Sequence, residues 1–106
     1  MPKFLITASY TTEGVKGLLK DGGSSRRAAV QKAAESVGGK LESFYFTFGD
    51  RDALVICDLP DSAAATAFSL IATATGTVRV ATTPLITVEE VDAASKKSVS
   101  YRAPGQ

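Results

Sequence analysis

Apolar and polar positions alternate from the start of the chain. Phe4, Ile6, Ala8 and Tyr10 fall on one side of an extended segment and Leu5, Thr7 and Ser9 on the other, which predicts a strand over residues 3–10. From residue 11 the spacing becomes helical through Val15, Leu18 and Leu19. Gly14 and Gly17 each cost about 1 kcal/mol relative to alanine in a helix interior, so a weak or irregular helix is expected over residues 11–20. Asp21-Gly22-Gly23 reads as a break, with Ser24 or Ser25 as the cap of a second helix over residues 26–37. One stripe of that helix carries Arg26, Val30, Ala33, Ala34 and Val37, while Arg27, Gln31, Lys32 and Glu35 form a solvated face, and Gly38-Gly39 supplies a left-handed stop.

The alternation then returns. Over residues 40–48, Phe44, Phe46 and Phe48 oppose Tyr45 and Thr47, which makes Phe46 a core ring whose loss is expected to cost about 3–5 kcal/mol. The polar turn Gly49-Asp50-Arg51-Asp52 leads into a second apolar run over residues 53–59, and the pair reads as an antiparallel hairpin. Pro60 ends that strand and Asp61 caps a helix with Ala64, Ala67, Phe68 and Ile71 as its inward stripe, closed by Gly76. Val78 and Val80 mark a strand over residues 77–83, and Thr87-Val88-Glu89-Glu90 has the capping-box spacing of a short last helix.

This order is the split βαβ, or ferredoxin-like, arrangement: an α+β fold with a four-stranded antiparallel sheet and helices on one face. The expected domain spans residues 1–94. Residues 95–106 form a basic tail, with Lys96, Lys97 and Arg102 and no acid, that is disordered alone or docks on a partner. The strand over residues 53–59 is apolar on both sides, Val55 and Cys57 against Leu54 and Ile56. Both faces of the sheet are therefore expected to be covered, the second by another copy of the chain, sheet against sheet, in a homodimer or higher oligomer.

Composition narrows the chemistry. The 106 residues carry 12 Lys plus Arg against 11 Asp plus Glu, a net charge of +1, which gives no long-range attraction to nucleic acid or to a membrane surface. With no histidine the chain cannot by itself build a Ser-His-Asp or Cys-His pair or offer an imidazole to a metal. A single cysteine forbids an intrachain disulfide and a CxxC site. No metal or cofactor signature is present: Asp50-x-Asp52 opens like a calcium loop, but Leu54 and the missing glycine break the pattern, and Gly22-Gly23 lacks phosphate-loop spacing. The start of the chain lacks a signal-peptide pattern and no apolar run approaches a membrane span, so a reducing cytoplasm is the expected setting.

Tyr10-Thr11-Thr12-Glu13-Gly14-Val15, the helix over 26–37, Gly38-Gly39-Lys40-Leu41, Phe44-Tyr45-Phe46-Thr47-Phe48-Gly49 and Pro60-Asp61 form an ordered series across residues 3–92. In that series the chain resembles the GYD domain, a small and mostly bacterial family of uncharacterised role. The resemblance implies a ferredoxin-like fold related to the dimeric α/β barrels and brings no established activity. The family is named for a Gly-x-Tyr-Asp turn; here the turn is Gly49-Asp50-Arg51-Asp52, with Arg51 where the family has tyrosine.

Several residues are candidates for a ligand site. Arg51 has the fork to hold an anion while Asp52 orients it; as structure, which the pattern favours, the turn's acids bond their own backbone. Tyr10, Tyr45 and Arg79 lie in or at the ends of strands, where polar tips line a space between sheet and helices. In barrels of the related type such a space holds small aromatic molecules, and Tyr45 as donor with Arg79 beside an enolate would suit a cofactor-free enzyme. The plainer account makes the tyrosines core edges and Arg79 an exposed charge. Asp58, at a strand end, offers a carboxylate base or, on the plainer account, faces solvent or an adjacent helix terminus, and Cys57 reads as a buried, inert thiol. Arg26-Arg27 and Lys96-Lys97 lack the interleaved aromatics of a nucleotide-binding patch and read as solvated charges. The functional classes left are an oligomeric small-ligand-binding or accessory domain, a ligand sensor with sites between subunits, and a cofactor-free enzyme acting on a small ionisable substrate; a filled core would count against the last.

Overall fold

Every predicted strand and helix is present in the computed structural model, which describes residues 1–106. In chain order they are β1 (Lys3–Tyr10), α1 (Thr12–Asp21), α2 (Gly23–Ser36), β2 (Lys40–Phe46), β3 (Ala53–Asp58), α3 (Ser62–Ala74), β4 (Val78–Pro84) and α4 (Val88–Ser95). The strands form one antiparallel sheet in the order β2-β3-β1-β4, the ferredoxin-like order, with β1 and β3 central. Register sorts the side chains as the alternation requires. Phe4 opposes Cys57 and Ile6 opposes Val55 on the face covered by α2 and α3, while Leu5 opposes Ile56 and Thr7 opposes Leu54 on the other.

The core gathers toward the Phe4 end of β1. Phe4, Ile6, Val55, Cys57 and Leu59 from the sheet side meet Ala34 of α2 and Ala65 of α3, all buried. Two alanines, Ala34 in the last turn of α2 and Ala65 in the first turn of α3, let both backbones approach the sheet closely there. Gly39 belongs to the same end: a methyl group on it would run into the Asp58 carbonyl oxygen, so the α2–β2 connection passes β3 only as glycine.

Four local expectations change. The α1 helix is regular despite its glycines, N-capped by Thr11, whose hydroxyl accepts from the Gly14 N–H. Gly14 is there for space, since a side chain would strike the Thr77 carbonyl oxygen. The break before α2 is Gly22 alone, at φ +84°, so Ser24 and Ser25 lie inside the helix rather than capping it. In β2 the strand stops at Phe46, because Phe48 sits at φ +50° and leaves the ladder. Its ring is exposed and stacks on Phe46 at 5.6 Å, so Phe46 is half-buried at the sheet edge, not a core ring. Asp61 caps α3 through a 2.8 Å bond from the Ala64 N–H, and the Thr87–Glu90 capping box of α4 forms as predicted.

Beyond β4 the chain leaves the body of the fold. All of residues 85–106 are exposed, including Ile86, Val88 and Val91 around α4. The radius of gyration is 16.8 Å, against about 13 Å for a compact chain of this length.

Candidate functional site

The layer between helices and sheet is full at one end and hollow at the other. Toward Tyr10, the inward positions change from Phe4 and Ile6 to Ala8 on β1 and to Ala53 on β3, and the facing helices offer Ala29 and Ala33 from α2 and Ala67 and Ala72 from α3. Alanine at facing positions cannot span the separation that the larger residues set at the packed end. The result is a half-open cavity of about 300 Å³. Sixteen of its twenty lining residues are hydrophobic, with Val55, Phe44, Phe68 and Val80 among the larger walls. That volume and character are those of a small-molecule site.

The four exceptions are Arg26, Ser36, Thr75 and Thr77. Thr75 and Thr77 satisfy each other across 2.7 Å, and the Thr75 hydroxyl donates to the Ala72 carbonyl at 2.7 Å, so these groups are engaged in closing α3 and starting β4. The Ser36 hydroxyl donates to the Ala33 carbonyl. Arg26 differs, because its Nε is buried and has no hydrogen-bond partner. No acidic residue lines the cavity.

Two clamps hold the open end. The Thr11 N–H donates to the Thr77 carbonyl at 3.0 Å and the Thr11 hydroxyl to the Gly76 carbonyl at 2.9 Å, tying β1–α1 to the α3–β4 turn. Asp52 forms the second: its carboxylate accepts from the Tyr10 N–H at 2.8 Å and its own N–H donates to the Ala8 carbonyl at 2.8 Å. The hairpin turn is thereby fastened to the end of β1, and Tyr10 is held against the cavity it lines.

Of Tyr10, Tyr45, Arg51, Asp52 and Arg79, the residues offered from sequence for a ligand site, Tyr10 alone reaches this cavity. Asp52 supports it through the backbone, and Arg51 is exposed on the turn, its carbonyl accepting from Thr47 and Gly49. Tyr45 and Arg79 do not point between sheet and helices. Tyr45 opposes Leu54 and Arg79 opposes Ser9, both on the other face, and they stand on the two outermost strands with β3 and β1 between them. The convergence that the enzymatic reading required of this pair is absent. Arg26, read as a solvated charge, is the residue missed; its place on the inward stripe of α2 was the available signal.

Asp58 is engaged structurally. It is 7% exposed and pairs with the Lys3 ammonium at 2.9 Å, which also reaches Glu42 at 2.8 Å. The register shift between Leu41 and Ser43 places Glu42 as the extra residue beside this pair. The hydrogen bond from Lys3 holds the Asp58 carboxyl below its ordinary range, and the bonds to Glu42 and Asp58 raise the Lys3 ammonium. Cys57 is fully buried, and desolvation with the neighbouring Asp58 charge pushes its thiol up to about 11, so thiolate chemistry is disfavoured. No group of three acidic or cysteine side chains is arranged as a metal site, and no helix is long and apolar enough to cross a membrane.

No curated protein and no solved structure matches the chain. The family model described as GYD domain matches residues 4–95, from the second residue of β1 to the last of α4, and so takes in all of the sheet but Lys3 and every wall of the cavity. The chain therefore belongs to the GYD domain family.

Proposed function

We propose that this GYD domain binds a small, mostly apolar organic molecule in the hollow between α2, α3 and the sheet, and that it does so as an oligomer. The hollow itself carries the reading. A half-open apolar space of about 300 Å³ leaves its lining against water, and a ligand body that displaces that water buries apolar surface. Polar groups are few and sit among alanine and valine walls, the composition that fixes a ligand's orientation while burial supplies affinity.

The oligomer is a second copy laid on the open face of the sheet. A compact chain of 11.0 kDa exposes about 5,600 Å². This one exposes 7351 Å². The excess of roughly 1,700 Å² is about twice what one partner buries in a standard interface. Half-buried Leu5, Leu54 and Ile56 on the open face, together with the projecting segment 85–106, offer that area, and a net charge of +1 sets up little repulsion between copies.

Two experiments test these statements separately. A nuclear magnetic resonance titration with 2-naphthamide is expected to shift the amides of Ala8, Ala53, Ala67 and Ala72, and Ala67→Phe, which fills the hollow, is expected to abolish those shifts; a spectrum unchanged at millimolar concentration by this amide and by the matching carboxylate, 2-naphthoate, defeats the binding reading. Sedimentation at micromolar concentration is expected to show a dimer or larger, shifted toward monomer by Ile56→Lys. A lone 11.0 kDa species in the parent chain defeats the oligomer.

A further inference from the structure

Arg26 gives the proposed ligand a charge. An arginine is a permanent cation with a planar fork of donors, and a buried donor left without a partner costs the full desolvation of that group. The Arg26 Nε is buried without a partner, no aspartate or glutamate lines the cavity, and the chain's ion pairs involve Lys3 and Lys16 only. The side chain does not lie there by accident of sequence order. Arg26 is on the first turns of α2, and Ala29, Val30 and Ala33, which follow it at helical spacing, line the same hollow. Arg27, one position on, faces solvent.

We infer that the hollow takes a monoanionic ligand with an apolar body, its carboxylate paired with Arg26 at the open end and its hydrocarbon directed toward Val55 and Phe68. This rests on the binding reading above and sharpens it. A carboxylate fits better than a phosphate. It offers two oxygens to one guanidinium fork, whereas a dianionic phosphate needs further donors, and the Ser36, Thr75 and Thr77 hydroxyls already donate or are mutually paired. The missing acid and the unpaired cation are then two sides of one arrangement, because the ligand supplies the counter-charge.

The test compares 2-naphthoate with the neutral, nearly isosteric 2-naphthamide by calorimetry on the full chain. The expected result is that naphthoate binds at least about tenfold more tightly, as a hydrogen-bonded charge pair in an apolar site allows. Arg26→Gln is expected to remove that preference, bringing the naphthoate affinity to that of naphthamide in the same variant, Arg26→Lys to retain part of it, and Arg27→Gln to leave the preference unaffected. Equal affinity of the parent chain for the two probes overturns the inference of charge while the binding reading stands. A naphthoate preference that survives Arg26→Gln in a folded chain, or that Arg27→Gln removes instead, also overturns it. Failure of both probes to bind the folded parent chain removes the binding reading and this inference together.

Discussion

The two ends of the helix–sheet layer are built from the same elements and differ in what they enclose. At the Phe4 end, large side chains from β1 and β3 meet Ala34 and Ala65, and the space is filled. At the Tyr10 end, Ala8 and Ala53 on the sheet face Ala29, Ala33, Ala67 and Ala72 on the helices, and it is not. Small against large packs; small against small leaves room. The difference teaches that alanine has two opposite uses here. Beside a large partner it permits close approach, and beside another alanine it sets aside volume. Hydrogen bonds tie both ends. Thr11 and Asp52 hold the hollow end, and at the packed end the Leu59 N–H donates to the Pro2 carbonyl and the Leu85 N–H to the Lys3 carbonyl.

The sharpest way to break this contrast is to truncate one ring at each end. Phe4, 4% exposed, is expected to cost about 3–5 kcal/mol on replacement by alanine, whereas Phe46→Ala, at the half-buried edge beside the exposed Phe48 ring, is expected to cost less than half of that. Denaturant unfolding of both variants with unchanged slopes would measure it. Equal costs would mean that the edge is as well packed as the centre and that the division drawn here is wrong.

The fold was legible because its signals are local. Alternation over β1, the Asp61 cap and the Thr87–Glu90 box each involve residues within a turn or a strand of one another, and each formed as written. The faces of Tyr45 and Arg79 were legible too. Tyr45 alternates against Phe44 and Phe46, and Arg79 lies between Val78 and Val80, so their parity already placed them away from the helices. The hollow was not legible. Ala33 and Ala34 are neighbours of one type on one helix, yet one lines the cavity and the other is buried in the core. Which of them faces a large partner depends on residues from β1 and β3 that the chain brings there only on folding. Arg26 was legible in part: the spacing puts it on the stripe of Val30, Ala33, Ala34 and Val37, but beside Arg27 the two like charges read as solvated surface.

That neighbouring pair offers the next test. Ala34→Leu adds three carbons to a filled space and is expected to destabilise by about 1–3 kcal/mol. Ala33→Leu adds the same atoms toward the hollow and is expected to be neutral or to stabilise by about 0.5–1 kcal/mol, in the manner of a cavity-filling change. Both keep good helix formers on α2, so propensity cancels in the comparison. Thermal unfolding of the pair reads the contrast directly, and it disappears if both substitutions destabilise alike.

The smallest expected effect is confined to acid and marks the packed end. Asp58 is buried there, at the end of β3, with Lys3 as its partner. Its carboxyl is held below the ordinary value of 3.8, chiefly by the Lys3 hydrogen bond. A group depressed in the fold contributes stability that is fully present above its unfolded value and is lost as pH falls through the folded one. The parent chain should therefore lose stability steadily as pH drops below about 4, and Asp58→Asn, which cannot take up that proton, should show a shallower decline over the same interval. The measurement is the midpoint of denaturant unfolding at a series of pH values between 5 and 2. Parallel curves for parent and variant would show that Asp58 binds its proton equally well folded and unfolded, and that the Lys3 bond adds no net stability to the packed end.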